Sequence, residues 1–189
     1  MFQLMKAIAL AQSQTRILDR IIWISFFTIV TILSANVSIP LPFTPVPITL
    51  QTLAVVASGA VIGLDALWSQ GLYLLIGALG APVFAEASSG VAILRGATGG
   101  YLVGFLIASG FAGKWVHPHW SRLSYFNKVL RLFLVSLLIF IPGVLQLCFI
   151  LKVNLVKGLE LGFYPFIIGD LIKTIAAASI PNRAIQFTI

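Results

Sequence analysis

Acidic residues are scarce in this chain: five among 189, against twelve lysines and arginines. Charged residues reach only 9% of the sequence, where a water-soluble domain carries roughly 25%. So few charges cannot hydrate the surface of a globule this size, which excludes an ordinary soluble fold. Cysteine is rarer still. The single Cys148 makes no internal disulfide and no zinc site, and its apolar surroundings suit a small buried hydrophobe. His117 and His119 have no carboxylate or cysteine spaced for metal, and are expected to be solvated. No nucleophile–base–orienter arrangement is present, and the few carboxylates argue against a proton relay. Thr98-Gly99-Gly100 lacks the spacing and the terminal Gly-Lys-Ser/Thr of a phosphate loop. An ATP-hydrolysing motor within this chain is thereby excluded.

What the chain has in abundance is apolar residues, at 59%. A helix needs about 20 of them to cross the bilayer core, leaving room for about six or seven crossings. Membrane barrels alternate apolar and polar residues, whereas runs such as Ile21–Ser34 and Leu132–Ile141 are nearly continuous. The expected fold is all-α: a single membrane domain over 1–189, bundling six transmembrane helices. A mildly polar lead, 1–20, is expected to lie on the membrane as a short amphipathic helix. Spans follow at about 21–39, 48–64, 66–79, 100–116, 132–151 and 161–180. Four prolines in Pro40–Pro47 favour extended backbone between the first two. Gly63-Leu64-Asp65 predicts a tight turn, Gly80–Gly99 a long irregular loop, and Pro142-Gly143 a kink.

Charge sets the expected orientation. Six spans put both termini on one side, with Lys6, Arg16, Arg20, Lys114, Arg122, Lys128, Arg131 and Arg183. The other side holds Arg95, Lys152 and Lys157. Cytoplasmic loops carry the basic surplus, so both termini are expected inside. Topology accounts for the net charge of +7 without nucleic acid as a partner.

Gly100, Gly104, Ala108 and Ala112 recur every four residues. Such a stripe lets helix backbones approach in lipid, or lets a ligand approach them. Asp170 and Lys173 are the most informative pair. Three residues apart, they share one face of the last span. Each charge at mid-bilayer costs roughly 2.5–3.5 kcal/mol on insertion scales. Either the two lock helices together as a salt bridge, or they line a polar cavity for a ligand. Arg95 precedes a glycine-rich stretch, and with a lysine-bearing cavity it would form an anion site. Glu86 shares the same loop. Gln51, Ser88, Ser89, Thr98 and Tyr101 offer further hydrogen-bonding groups near the outer side; Asn36 is a weaker candidate.

These residues fall within stretches that resemble the BioY family, the biotin-binding S components of energy-coupling-factor (ECF) transporters. The stretches are Ile39-Pro-Leu-Pro-Phe-Thr-Pro-Val-Pro-Ile-Thr-Leu-Gln-Thr, Leu79-Gly-Ala-Pro-Val-Phe-Ala, Gly96-Ala-Thr-Gly-Gly-Tyr-Leu-Val-Gly-Phe and Gly169-Asp-Leu-Ile-Lys. They occur in the family's order across most of the chain. The resemblance implies a multi-pass protein of the bacterial plasma membrane that captures biotin from outside. Its partners would be a transmembrane coupling subunit and ATPase subunits, with biotin as cargo and no resident cofactor. It implies that the ligand carboxylate is held by an arginine, here Arg95, and by the pair Asp170 and Lys173. It also implies small residues on the first helix facing the coupling subunit, for which Thr31 and Ala35 are available. Outer segments Pro40–Pro47 and Gly80–Gly99 would lid the pocket. A solitary gradient-coupled carboxylate carrier and a purely structural membrane protein are the competing readings.

Overall fold

The computed structural model of the chain describes residues 2–186, with side chains from residue 16 onward except those of 184 and 186. Met1 and the Lys6 side chain lie outside the described residues. Nothing between Phe2 and Asn36 breaks a helix: the segment has no proline or glycine, the two residues least compatible with a helix interior. Accordingly α1 runs unbroken over Phe2–Asn36. The expected lead over 1–20 is therefore not a separate element but the first turns of one long helix.

The proline-rich segment folds as an antiparallel ribbon of β1 (Ser38–Leu41) and β2 (Thr44–Thr49). Its register slips between Ile39 and Leu41, where Pro40 has no N–H to give the ladder. The ribbon keeps Ile48 and Thr49 extended, so the next helix starts later than the expected 48. That helix, α2 (Gln51–Ile62), is followed by a 3₁₀ turn (Gly63–Asp65) and α3 (Ala66–Ala78). Gly63 has φ 61°, a left-handed conformation that glycine adopts without a Cβ penalty. There the chain reverses. The Gln51 side-chain amide donates to the Tyr73 hydroxyl, although 22 residues of continuous helix would hold the two about 33 Å apart. The imidazole of His117 sits against Gly63, its Nδ1 2.9 Å from the Ala60 carbonyl. The structure thus makes His117 a partly buried part of this turn, contrary to the expected solvation.

The loop expected over Gly80–Gly99 is shorter on irregular backbone than its sequence suggests. It holds a 3₁₀ turn (Ala85–Ala87) and a short α4 (Val91–Arg95). Next come α5 (Gly99–Phe111), a π turn (Ala112–Val116), a 3₁₀ turn (His117–Arg122) and α6 (Tyr125–Leu151). The chain closes with α7 (Leu155–Gly162), α8 (Tyr164–Ala178) and α9 (Asn182–Gln186).

The fold is an α-helical bundle with the character of a membrane protein. Among the described residues, three stretches are long and apolar enough to cross a membrane: Arg16–Asn36, Gln51–Ala78 and Tyr125–Leu151. The α7–α8 pair, bent by 43°, passes the same test jointly. The Gln51–Ala78 stretch, folded back at Gly63, is two antiparallel helices rather than one long span.

Helix α5 packs on α6 through the small-residue stripe. A Cβ on Gly104 would meet the Ile139 backbone at 2.6–2.7 Å, and one on Gly100 would collide with the Pro142 carbonyl. Ala108 and Ala112 are fully buried. The stripe serves close packing, as lipid-embedded helices require. Thr31 and Ala35 are also fully buried, and Gln70 Nε2 donates to Thr31 Oγ1 at 3.2 Å. Both are turned into the chain, Thr31 against α3, and cannot present small residues to a partner. The outward face of α1 carries Ile22, Phe26, Ile29 and Leu33 instead.

Candidate functional site

A cavity of ≈ 220 Å³ lies among β2, α2, the 3₁₀ turn Ala85–Ala87, α4, α5, α6 and α8. Apolar groups form most of its wall, including Val46, Phe84, Leu102, Phe105, Ile139, Phe140 and Phe166. Their placement has local causes. Phe84 meets Tyr73 edge-on, with ring centroids 5.4 Å apart, and it fits because Gly77 of α3 leaves room for its ring. Phe140 is held between Tyr101, Phe163 and Phe166 by ring contacts at 5.2–6.2 Å.

The polar groups of this wall converge from opposite ends of the sequence. Asp170 and Lys173, one turn apart on α8, form a salt bridge of 3.1 Å, with side chains 1% and 11% exposed. Thr52 of α2 joins them: its Oγ1 donates to Asp170 Oδ1 at 2.9 Å and accepts from Lys173 Nζ at 3.0 Å. Asp170 Oδ2 is buried and has no hydrogen-bond partner among the described residues. An unpaired buried carboxylate oxygen carries a desolvation cost of about 1–3 kcal/mol or more. In a cavity wall it is an acceptor available to a ligand N–H or O–H.

Six of the eight expected site residues line the cavity: Asp170, Lys173, Tyr101, Thr98, Gln51 and Ser88. Several of these polar groups are already engaged. The Tyr101 hydroxyl donates to the Gly162 carbonyl at 2.8 Å, closing the break between α7 and α8. Gln51 is tied to Tyr73 and to Thr49, and Ser88 Oγ donates to the Ala85 carbonyl. Arg95 and Ser89 are not among the lining residues. Arg95 ends α4 and is exposed, whereas Ile93, two positions earlier on the short helix, reaches the cavity. Glu86 lines the cavity, exposed and in left-handed backbone at φ 59°.

Three contributors escape a reading from sequence. Thr52 reads as one more polar residue beside Gln51, and its partner is 118 positions away. Gln146 sits in an apolar run of α6, yet its Nε2 donates to the carbonyls of Leu94 and Gly96 at 2.9 and 2.7 Å. Phe166 differs in nothing but register from the other aromatics of the spans. For Thr52 alone a signal existed, since it closes the proline-to-Gln-Thr motif.

The model of the BioY family matches residues 5–187. The chain belongs to the BioY family. Among relatives, this BioY-family chain is 37% identical over 159 residues to the biotin transporter BioY of Thermotoga maritima, covering 83% of the chain and 90% of the relative. It is 34% identical over 161 residues to the probable biotin transporter BioY of Pyrococcus horikoshii, covering 85% and 92%. A crystal structure of the S-component for biotin from an ECF-type ABC transporter superposes with a TM-score of 0.82. That match has 25% identity and covers 88% of this chain and 90% of the other. These likenesses make the chain a membrane protein of a transporter family.

Proposed function

We propose that the chain is the biotin-binding S component of an ECF uptake transporter, and that biotin occupies the cavity bounded by Thr52, Asp170 and Lys173. The observation that carries this reading is a buried charged cluster in the wall of a mostly apolar cavity. Two buried charges joined by one hydroxyl are costly to keep in a membrane bundle, and a cavity beside them gives the cost a purpose. The volume is below the roughly 300–1,000 Å³ of pockets for drug-sized ligands, as suits a small vitamin.

Asp170 suggests which end of the ligand enters first. Its Oδ1 is taken by Thr52 and Lys173, and its Oδ2 is free. A ligand carboxylate set against Oδ2 would be repelled, whereas an N–H would satisfy it. The ureido ring of biotin offers both an N–H for Asp170 and a carbonyl for Lys173. The valerate then extends away from α8, and Arg95, exposed at the end of α4 two residues after the lining Ile93, is the cation we assign to its carboxylate. This turns the ligand round from the orientation implied by the resemblance.

Six crossings are assigned to α1, α2, α3, α5, α6 and α8, with both termini in the cytoplasm as the basic residues favour. Strand β2 of the ribbon and the segment from Phe84 to Ile93 both contribute to the cavity wall, as a lid on the outer side would. A coupling subunit and ATPase subunits supply the energy. Transport by the protein alone in vesicles lacking them would support the solitary-carrier reading instead.

Binding of radiolabelled biotin and of biotin methyl ester to the purified protein tests both function and orientation. Asp170→Asn and Lys173→Met should each weaken both ligands by about 2–5 kcal/mol, as loss of one partner of a buried charge pair does. Arg95→Gln should weaken biotin and spare the ester. If Lys173→Met spares the ester, the carboxylate lies at α8; if neither ligand binds the native protein, the function is wrong.

A further inference from the structure

A second concavity lies on the outside of the bundle, between α3, α5 and α6. Leu67, Leu106, Ile107, Phe111, Leu134 and Leu138 form its walls, and Gly110 leaves space at its floor against Leu67. Phe111 and Leu134 are 55% and 44% exposed, so the groove is open to its surroundings. It is not uniform along its length. One end is bounded by Lys114 and Trp115 of the π turn. Beside them is Arg131, whose Nη1 donates to the Trp115 carbonyl at 3.1 Å and whose guanidinium stands 5.0 Å from the Trp115 ring. Leu134, Val135 and Leu138 continue the same face of α6 above Arg131, at intervals that align on a helix. Lys114 of the π turn to Leu106 of α5, and Arg131 to Leu138 on α6, each span about 10–12 Å at about 1.5 Å per residue.

The charge at this end is uncompensated. Among the described residues Lys114 has no hydrogen-bond or ionic partner, and Arg131 meets only Trp115. Asp65, the acidic residue next to the groove residue Leu64, is held by Arg20 through Nε at 2.7 Å and a second bond from Nη2. Two cations and an indole therefore cap an apolar trough on the outside of the bundle.

We propose that this groove is a binding site for one anionic phospholipid, with an acyl chain along α5 and α6 and the phosphate at Lys114 and Arg131. An apolar tail joined to a negative head matches the groove in both polarity and direction. Basic residues near the membrane surface attract anionic lipid by about 1 kcal/mol each, and here two converge on one pocket with a tryptophan at interfacial depth.

The test is retention of phosphatidylglycerol against phosphatidylcholine by the purified full-length chain, read by native mass spectrometry after exchange into equimolar mixed micelles. The native protein should retain one phosphatidylglycerol preferentially, by about 30-fold for two such contacts. The pair Lys114→Gln with Arg131→Gln should abolish that preference. Lys152→Gln with Lys157→Gln, which removes equal charge at the far end of α6 and on α7, should leave it intact. Gly110→Leu, which fills the floor, should lower retention of both lipids at this stoichiometry. Equal retention of the two lipids by the native chain overturns the proposal. So does an equal loss in both charge variants, or capture of an apolar helix of a partner subunit in the groove with no lipid preference.

Discussion

Thr52 Oγ1 stands 2.9 Å from Asp170 Oδ1 and 3.0 Å from Lys173 Nζ, so one hydroxyl joins α2 to both charges of α8. It both donates and accepts, an arrangement a hydroxyl permits. Thr52→Val keeps the shape and removes both bonds. Biotin affinity should fall about 10–150-fold, the equivalent of about 1.5–3 kcal/mol for hydrogen bonds to charged groups. Thr52→Ser should recover most of it. Isothermal titration reads the difference, and an unchanged affinity in the valine variant would remove Thr52 from the site.

The charge pair should respond asymmetrically to removal of one or both members. Lys173→Met leaves the Asp170 carboxylate buried with Thr52 alone, at an expected stability cost of about 3–5 kcal/mol. Asp170→Asn leaves the ammonium in the same position. Replacing both removes the uncompensated charge, so the double variant should be more stable than either single one. Thermal unfolding in detergent checks this ordering. The double variant should bind no biotin, which separates a ligand site from a mere fastening of helices: a stable double variant with native affinity would make the pair structural.

Packing between α5 and α6 offers a prediction independent of ligand. A Cβ on Gly104 would stand 2.6 Å from the Ile139 carbonyl oxygen, and backbone cannot yield as a side-chain tip does. Gly104→Val should force the helices apart and cost about 1–3 kcal/mol or more. Gly71→Ala, whose added Cβ would meet only Leu106 at 4.0 Å, should be close to neutral. Equal thermal midpoints for the two variants would contradict the role given to the stripe.

The legible parts of this fold are those set by local sequence. Apolar runs marked the helices, Gly63 the reversal, and Pro40–Pro47 the extended ribbon, because each depends on neighbours within a few residues. The Asp170–Lys173 pair was legible for the same reason, one helical turn being visible in any sequence. Thr52 was not, since its role depends on how α2 meets α8. Arg95 shows the opposite case: its loop and charge suit an anion site, but its exact place is not legible, since the register of α4 turns Ile93 into the cavity wall and leaves Arg95 exposed outside it. Thr31 and Ala35 likewise looked like an outward face, and helix rotation turned them inward.

Gln146 is the residue whose effect should be kinetic. The last carbonyls of a helix have no partner within it, and the amide of Gln146 supplies donors to Leu94 and Gly96 at the end of α4. It reaches them because Gly99 and Gly100 leave no side chain between α5 and α6. Gln146→Leu fills the same space and leaves the part-buried Leu94 carbonyl without that donor, while Gly96 keeps only the Gly99 N–H at 3.3 Å, at about 1–3 kcal/mol for the lost partner. The loss falls on α4 and the turn after it, which bring Ile93 and Thr98 to the cavity. Release of biotin should therefore quicken by roughly tenfold, since loosening by about 1.4 kcal/mol corresponds to that factor. Gln146→Glu should release as fast as the leucine variant, because a carboxylate cannot donate to either carbonyl. Dissociation of radiolabelled biotin into an unlabelled chase measures the rate. If both variants release biotin at the native rate, α4 plays no part in holding the ligand, and the lid must lie in the β1–β2 ribbon alone.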